Sequence, residues 1–287
     1  MNSAILHNGK VVTAQEYSVD IHGNRVFCID RSCKVPVIYV PESESTMSHF
    51  KTTGKNDSKH KPNCGFFKPL DFIDSIKKVE EYQNELLDKG MKETIIRINL
   101  SKLDPFYESK EVEKDTESKK KKDPSEVKIK QDNETPASIG SLKSVVKLLT
   151  SYEPDILSGI LVNIKGKKVP ISSIIVDQVK AHELLWADEL IDNSGYFVYG
   201  TVDAVLRREK VIYINFKPVN NVMFSLVLFD KYFKFFTYKD EALIGKTILA
   251  YGFLKKNVYK DKNTSELQIR SDKYIEFLKI QPKEATE

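Results

Sequence analysis

Three cysteines and two histidines crowd into residues 28–64 of a 287-residue chain. Cys28-Ile-Asp-Arg-Ser-Cys33 is a C-x4-C pair, His49-Phe50 follows, and His60-Lys-Pro-Asn-Cys64 closes the run. Thiolate and imidazole are the soft donors that tetrahedral zinc prefers, and a short turn can present two of them to one ion. Five candidates compete for four places. The spacing favours Cys28, Cys33, His49 and Cys64, with His60 as the alternate. Four protein ligands would close the site and make the zinc structural, supplying folding energy to a segment with few apolar residues. A catalytic zinc needs an open position and a base beside it, and nothing in the spacing of Glu42, Glu44 or Asp57 recommends one. The competing reading is buried thiols beside unrelated surface histidines. It is weakened because all three cysteines of the chain fall in this one segment.

The elements that must position these residues are short. Val11-Val12, Arg25-Val26-Phe27 and Val35 to Val40 read as strands separated by His22-Gly23-Asn24 and ended by Pro41. Over residues 70–89, Leu70, Ile73, Ile76, Val79, Leu86 and Leu87 recur near helical spacing, and Gly90 is placed to cap that helix. These segments suggest a zinc-bound module over 1–68 and a helix-and-strand extension over 69–104.

Residues 105–137 carry a Lys119–Lys122 run among many acids and almost no apolar residues. A segment this poor in core residues is expected to be a disordered charged linker, its acids cancelling the field of the lysines. Over 138–192 the pattern predicts a helix, a hairpin turning at Lys165-Gly166-Lys167, and a second helix. His182 and Trp186 lie one turn apart on that helix and read as packing residues.

From Gly195 onward five strand-like runs appear: Tyr196–Leu206, Val211–Phe216, Val222–Phe229, Thr247–Leu254 and Leu267–Leu278, with a short helix between the third and fourth. Alternation places Val198, Val202, Ala204, Leu206, Ile212 and Ile214 inside. Tyr199, Tyr213, Tyr251 and Arg270 fall on the opposite register. Arg207 and Arg208 would lie in the first interstrand loop, and Lys255 and Lys256 in the last. Aromatic platforms beside cations are what single-stranded nucleic acid requires, since bases stack and phosphates pair. The competing use of such a face is packing against another part of the chain or a protein partner.

Charge supports this division without deciding it. The chain is +4 at formal charge, with the excess at its two ends: +3 over 1–68, −4 over 69–192 and +6 over 193–280. Basic ends suit phosphate, although an ordinary solvated surface has the same composition. No run approaches the ~18 apolar residues of a membrane span, and Met1 to Lys10 lacks the pattern of a secretory signal. Three cysteines cannot close a disulfide framework, which favours a reducing, cytoplasmic setting. No phosphate-binding loop, dinucleotide fingerprint or nucleophile elbow is present.

Two resemblances follow from these motifs. Phe27-Cys28 to Cys33, His49-Phe50 and His60 to Cys64 resemble the N-terminal zinc-finger-like region of CoiA-like competence proteins, which implies a bacterial origin. The C-x4-C spacing and the long gap after His49-Phe50 depart from that family. Its nuclease segment has no counterpart here, so nuclease activity is not implied. Residues 195–280 resemble OB-fold nucleic-acid-binding domains in Gly200-Thr201-Val202, Leu243 to Lys246 and Ala250 to Leu254. That resemblance implies a five-stranded β-barrel.

The expectation is an α+β, multidomain protein: a small zinc-bound N-terminal module, a middle α/β segment, a C-terminal five-stranded OB-fold β-barrel over 193–280, and a tail over 281–287. It would be non-enzymatic, with structural zinc as cofactor. Single-stranded nucleic acid would be held by Tyr199, Arg207, Arg208, Tyr213, Tyr251, Lys255, Lys256 and Arg270. A protein-interaction adaptor of a DNA-uptake or phage-defence complex, or a nuclease with an unrecognised site, are the alternatives. A protein partner or self-association remains open, and no membrane role is expected.

Overall fold

A computed structural model describes residues 1–108 and 138–280. The charged linker expected over 105–137 therefore lies, from residue 109, outside the described residues, as does the tail. In chain order the elements begin with β1 (Ser3–Leu6), β2 (Val11–Thr13), α1 (Val19–His22), β3 (Val26–Cys28), β4 (Pro36–Val40), β5 (His49–Lys51) and α2 (Phe72–Leu86). The middle holds β6 (Thr94–Ile98), β7 (Ser138–Ile139), α3 (Leu142–Ser151), α4 (Pro154–Ser158), β8 (Ile160–Ile164), β9 (Lys167–Pro170), β10 (Ile175–Asp177) and α5 (Gln178–Trp186). The last third holds β11 (Tyr196–Arg207), β12 (Val211–Phe216), β13 (Met223–Phe229), α6 (Asp240–Leu243), β14 (Thr247–Gly252), β15 (Leu254–Tyr259), β16 (Lys262–Gln268) and β17 (Ile275–Phe277). Among the described residues these 17 strands form three sheets, of five, eight and four strands. No helix among them is long and apolar enough to cross a membrane.

The chain divides into two compact units. The first joins residues 1–95, 149–162 and 168–172. Its five-stranded sheet has the order β2-β1-β3-β4-β5, antiparallel throughout. Helix α2 closes the unit. Asp71 caps its N-terminus by accepting from the Asp74 amide at 2.9 Å. Phe72, Ile76, Val79, Tyr82 and Leu86 bury one face at three- and four-residue spacing. Gly90, with φ of 96°, ends the short turn that follows the helix.

The second unit takes residues 96–148, 163–167 and 173 onward. Its eight-stranded sheet has the order β15-β16-β13-β12-β11-β14-β17, with β10 paired in parallel to β11. None of the sheets is closed into a barrel, so the expected five-stranded OB-fold β-barrel is corrected to an α+β fold with a larger sheet. The sequence reading missed strands for physical reasons. Lysine-rich Lys255–Tyr259 lacks apolar alternation and reads as a loop, yet with Leu254 it forms β15, paired residue for residue with β16. Lys260 and Asp261, both at positive φ, form the tight turn between them. Lys255 and Lys256 thus stand on a strand. Alternation also fails within β11, where the register shifts between Val202 and Ala204. Beyond this bulge the side chains change face, and Leu206, expected inside, is 45% exposed.

Candidate metal centre

The first unit brings the N-terminal ligands together. The Sγ atoms of Cys28, Cys33 and Cys64 and a ring nitrogen of His60 all lie within 4.8 Å of one another. Three of the edges are short: Cys28 Sγ to Cys64 Sγ is 3.7 Å, Cys33 Sγ to His60 Nδ1 is 3.5 Å, and Cys64 Sγ to His60 Nδ1 is 3.4 Å. This cluster could hold a metal ion. Its cysteines are buried and its histidine half-buried, and no disulfide joins them.

His60, the alternate ligand, takes the place expected for His49. Strand periodicity is the reason. In β5, Phe50 points into the core, 1% exposed, where it packs edge-on against Tyr17 with ring centroids 5.4 Å apart. Its neighbour His49 must then face the other side of the sheet, where its Nδ1 lies 2.9 Å from the Met47 carbonyl oxygen. The His-Phe pair is a packing feature, whereas His60 sits four residues before Cys64 on the loop that delivers both donors.

The C-x4-C loop is shaped by the residue at its centre. Asp30 is fully buried. Its carboxylate accepts from the Ser32 amide at 2.9 Å, the Gly65 amide at 2.8 Å and the Tyr82 hydroxyl at 2.8 Å. It also pairs with Lys78 Nζ at 3.0 Å. Its backbone carbonyl accepts from the Cys33 and Lys34 amides, both at 3.0 Å, which turns the chain so that Cys33 points back toward Cys28. One side chain therefore ties the first ligand pair, the residue after Cys64, and α2. Lys78 and Tyr82 reach it together because they lie four residues apart on one helical face. Burial alone would raise the Asp30 carboxyl. The hydrogen bonds from Ser32, Gly65, Tyr82 and Lys78 outweigh burial and hold it below its ordinary value. Sequence reasoning passed over Asp30, although an acid enclosed between two ligand cysteines is the signal that could have found it.

Gly65 allows this closeness. A Cβ there would lie 2.9 Å from the Tyr82 hydroxyl and 3.2 Å from Pro154, so only glycine lets the chain after Cys64 press onto α2. The Phe66 amide then donates to Cys64 Sγ at 3.4 Å. A hydrogen bond from Cys28 holds the Cys64 thiol below its ordinary value, and the same bond raises Cys28. Burial raises Cys33 and lowers His60. These shifts favour the thiolate at Cys64 and the neutral imidazole at His60, and the protonated thiol at Cys28 and Cys33.

The eight residues expected to hold nucleic acid do not form one open face. Tyr199 is buried at 8% exposure on β11. Tyr251 is half-buried against Phe197, ring centroids 4.8 Å apart, and burial raises its hydroxyl. Tyr213 is half-buried on β12. Arg207 bonds Asp240 at 2.7 Å and the Tyr238 carbonyl at 2.8 Å. Lys256 pairs with Asp188 at 2.6 Å and lies over the Trp186 ring. Arg270 pairs with Asp104 and stacks over Tyr232. Arg208 and Lys255 are exposed. His182 and Trp186 pack as expected, with His182 Nδ1 2.8 Å from the Ser265 hydroxyl. Beside Lys255, Phe253 and Tyr259 are exposed, at 55% and 53%.

No protein-family model matches this chain, and a search of the curated proteins finds no match.

Proposed function

We propose that the chain is a non-enzymatic nucleic-acid-binding protein whose N-terminal unit is held together by a structural zinc ion on Cys28, Cys33, His60 and Cys64. The observation that carries the zinc reading is the set of distances between the donors. With Zn–S near 2.3 Å and Zn–N near 2.0 Å, a tetrahedron has S–S edges of about 3.8 Å and S–N edges of about 3.5 Å. Three of the six edges, at 3.7, 3.5 and 3.4 Å, match these, and the other three lie within 4.8 Å. Three sulfurs and one imidazole are a zinc donor set, and four protein ligands leave no position for a substrate.

The binding surface is the exposed part of the second unit. Arg208 and Lys210 stand at the turn between β11 and β12, and Lys255, Lys260 and Lys262 line the β15–β16 hairpin beside exposed Tyr259. Cations next to an open aromatic ring suit a single strand, with lysines on phosphates and tyrosine on a base. Tyr199 and the paired Arg207 drop out of that surface. The test is anisotropy of labelled single strands across a salt series, with zinc measured on the same sample. Micromolar affinity that falls steeply with salt is expected. Zinc-loaded protein that binds neither DNA nor RNA single strands would refute the nucleic-acid reading and leave the hairpin as a protein-docking surface.

A further inference from the structure

Within the second unit a cavity of about 350 Å³ opens between the segment that follows β6 and the end of β14. Tyr251, Phe253 and Tyr274 give it aromatic walls, and Gln268, Arg270 and Asp104 give it polar ones. The Tyr251 and Tyr274 hydroxyls make no hydrogen bond to another described side chain, and burial raises both, Tyr274 to about 12. The Gln268 carboxamide likewise has no partner among the described residues. Phe253 is 55% exposed at the mouth, on the single residue between β14 and β15. Its neighbour Gly252 is fixed by packing, since a Cβ there would lie 2.6 Å from the Gln268 carbonyl oxygen and 2.8 Å from Leu267. The pocket wall is therefore a close strand contact and not an open loop.

Its chemistry selects the occupant. The one cation, Arg270, already pairs with Asp104 and lies over Tyr232 with its guanidinium carbon 5.7 Å from the ring centroid. Their charges cancel, so the cavity has little to offer a phosphate. What remains are flat aromatic walls, a carboxamide that both donates and accepts, and the Tyr274 phenol, which can do either. A neutral, planar, hydrogen-bonding ring satisfies all of these, and the cavity has room for one with its sugar.

We propose that this cavity receives a single extruded nucleobase, stacked on Phe253 and hydrogen-bonded by Gln268. This rests on the nucleic-acid reading above and adds a base site to its phosphate surface. The strand backbone would pass along the neighbouring Lys255, which is exposed.

The experiment compares two probes on the full chain. One is a set of short single-stranded DNA oligonucleotides, one for each base. The other is an abasic strand of the same length, which keeps the phosphates and removes the rings. Wild-type protein should bind at least one base-bearing strand about tenfold more tightly than the abasic strand, the scale of one base–aromatic stack. Phe253→Ala and Gln268→Ala should each remove most of that difference while leaving abasic binding unchanged. If base-bearing strands bind but both variants leave them unchanged, the pocket proposal falls and the nucleic-acid reading survives. If neither probe binds, both fall.

Discussion

The two units achieve order in different ways. In the first, no strand of the five-stranded sheet exceeds five residues, and its three cysteines lie inside the hydrophobic cluster. Its loops converge on four candidate metal donors and on a buried carboxylate that accepts from three directions. In the second, β11 runs 12 residues and β13 seven. Val198, Ile214, Leu226, Leu228, Ile248 and Leu267 are fully buried there, and no ligand cluster is needed. A short-stranded fold relies on a few strong, specific contacts and fails when one is lost. A long-stranded fold distributes its stability over many apolar contacts. The first unit should therefore be brittle toward metal loss and the second toward core truncation.

The largest effect is expected from removing the metal. Chelation, or Cys64→Ala, should collapse hydrogen-exchange protection across β1 to β5 while β11 to β16 keep theirs. Structural zinc sites contribute roughly 10–16 kcal/mol of apparent binding energy in small zinc domains. Equal loss in both units would break the comparison.

Asp30→Ala comes next. It removes the acceptor of Ser32, Gly65 and Tyr82 and leaves Lys78 without its buried partner. The cost should be about 3–5 kcal/mol, read from urea unfolding monitored within the first unit. The counterpart in the second unit is Leu226→Ala, at about 2–5 kcal/mol from a cavity in a packed sheet. It should leave zinc content untouched, whereas Asp30→Ala should lower metal affinity.

A smaller effect concerns Asp155, fully buried, whose carboxylate accepts from the Asn2 and Ser3 amides at 2.6 and 2.8 Å. Burial, and then the charge of Glu153, push it up to about 6. A carboxyl raised on folding favours the protonated chain. Its contribution is therefore complete below about pH 4, the usual value for aspartate, and is lost as pH rises through about 6. Asp155→Asn should flatten stability between those limits, and an unchanged slope in urea midpoints over that range would remove this group from the account. The smallest effect is His49→Ala, within about 0.5 kcal/mol and without loss of metal, because its ring faces away from the ligands.

The contrast between the units also sets what could be read without coordinates. The candidate metal site was legible because cysteines are few and all lie in one segment. The choice between His49 and His60 was not, because it depends on which face of β5 carries Phe50. Helix α2 followed from its apolar spacing, while Tyr82 beneath the C-x4-C loop did not, because its hydroxyl matters through a residue 52 positions away. In the second unit β11 to β14 were visible as apolar alternation. Strand β15 was hidden because its lysines look like a loop, and its partner, not its own composition, makes it a strand. The eight residues expected to hold nucleic acid do not share one open face for a related reason. Strand periodicity gives two faces but does not say that Tyr199 would be covered or that Arg207, Lys256 and Arg270 would each find an acid.

The most direct test is the metal itself. Purified protein should carry one zinc per chain, and the cobalt-substituted form should show the intense visible bands and sulfur charge transfer of a tetrahedral thiolate site. Both should survive His49→Ala and be lost or weakened in His60→Ala. Protein that folds without metal, or that keeps its zinc in His60→Ala and loses it in His49→Ala, would contradict the Cys28, Cys33, His60 and Cys64 centre on which the account of the first unit stands.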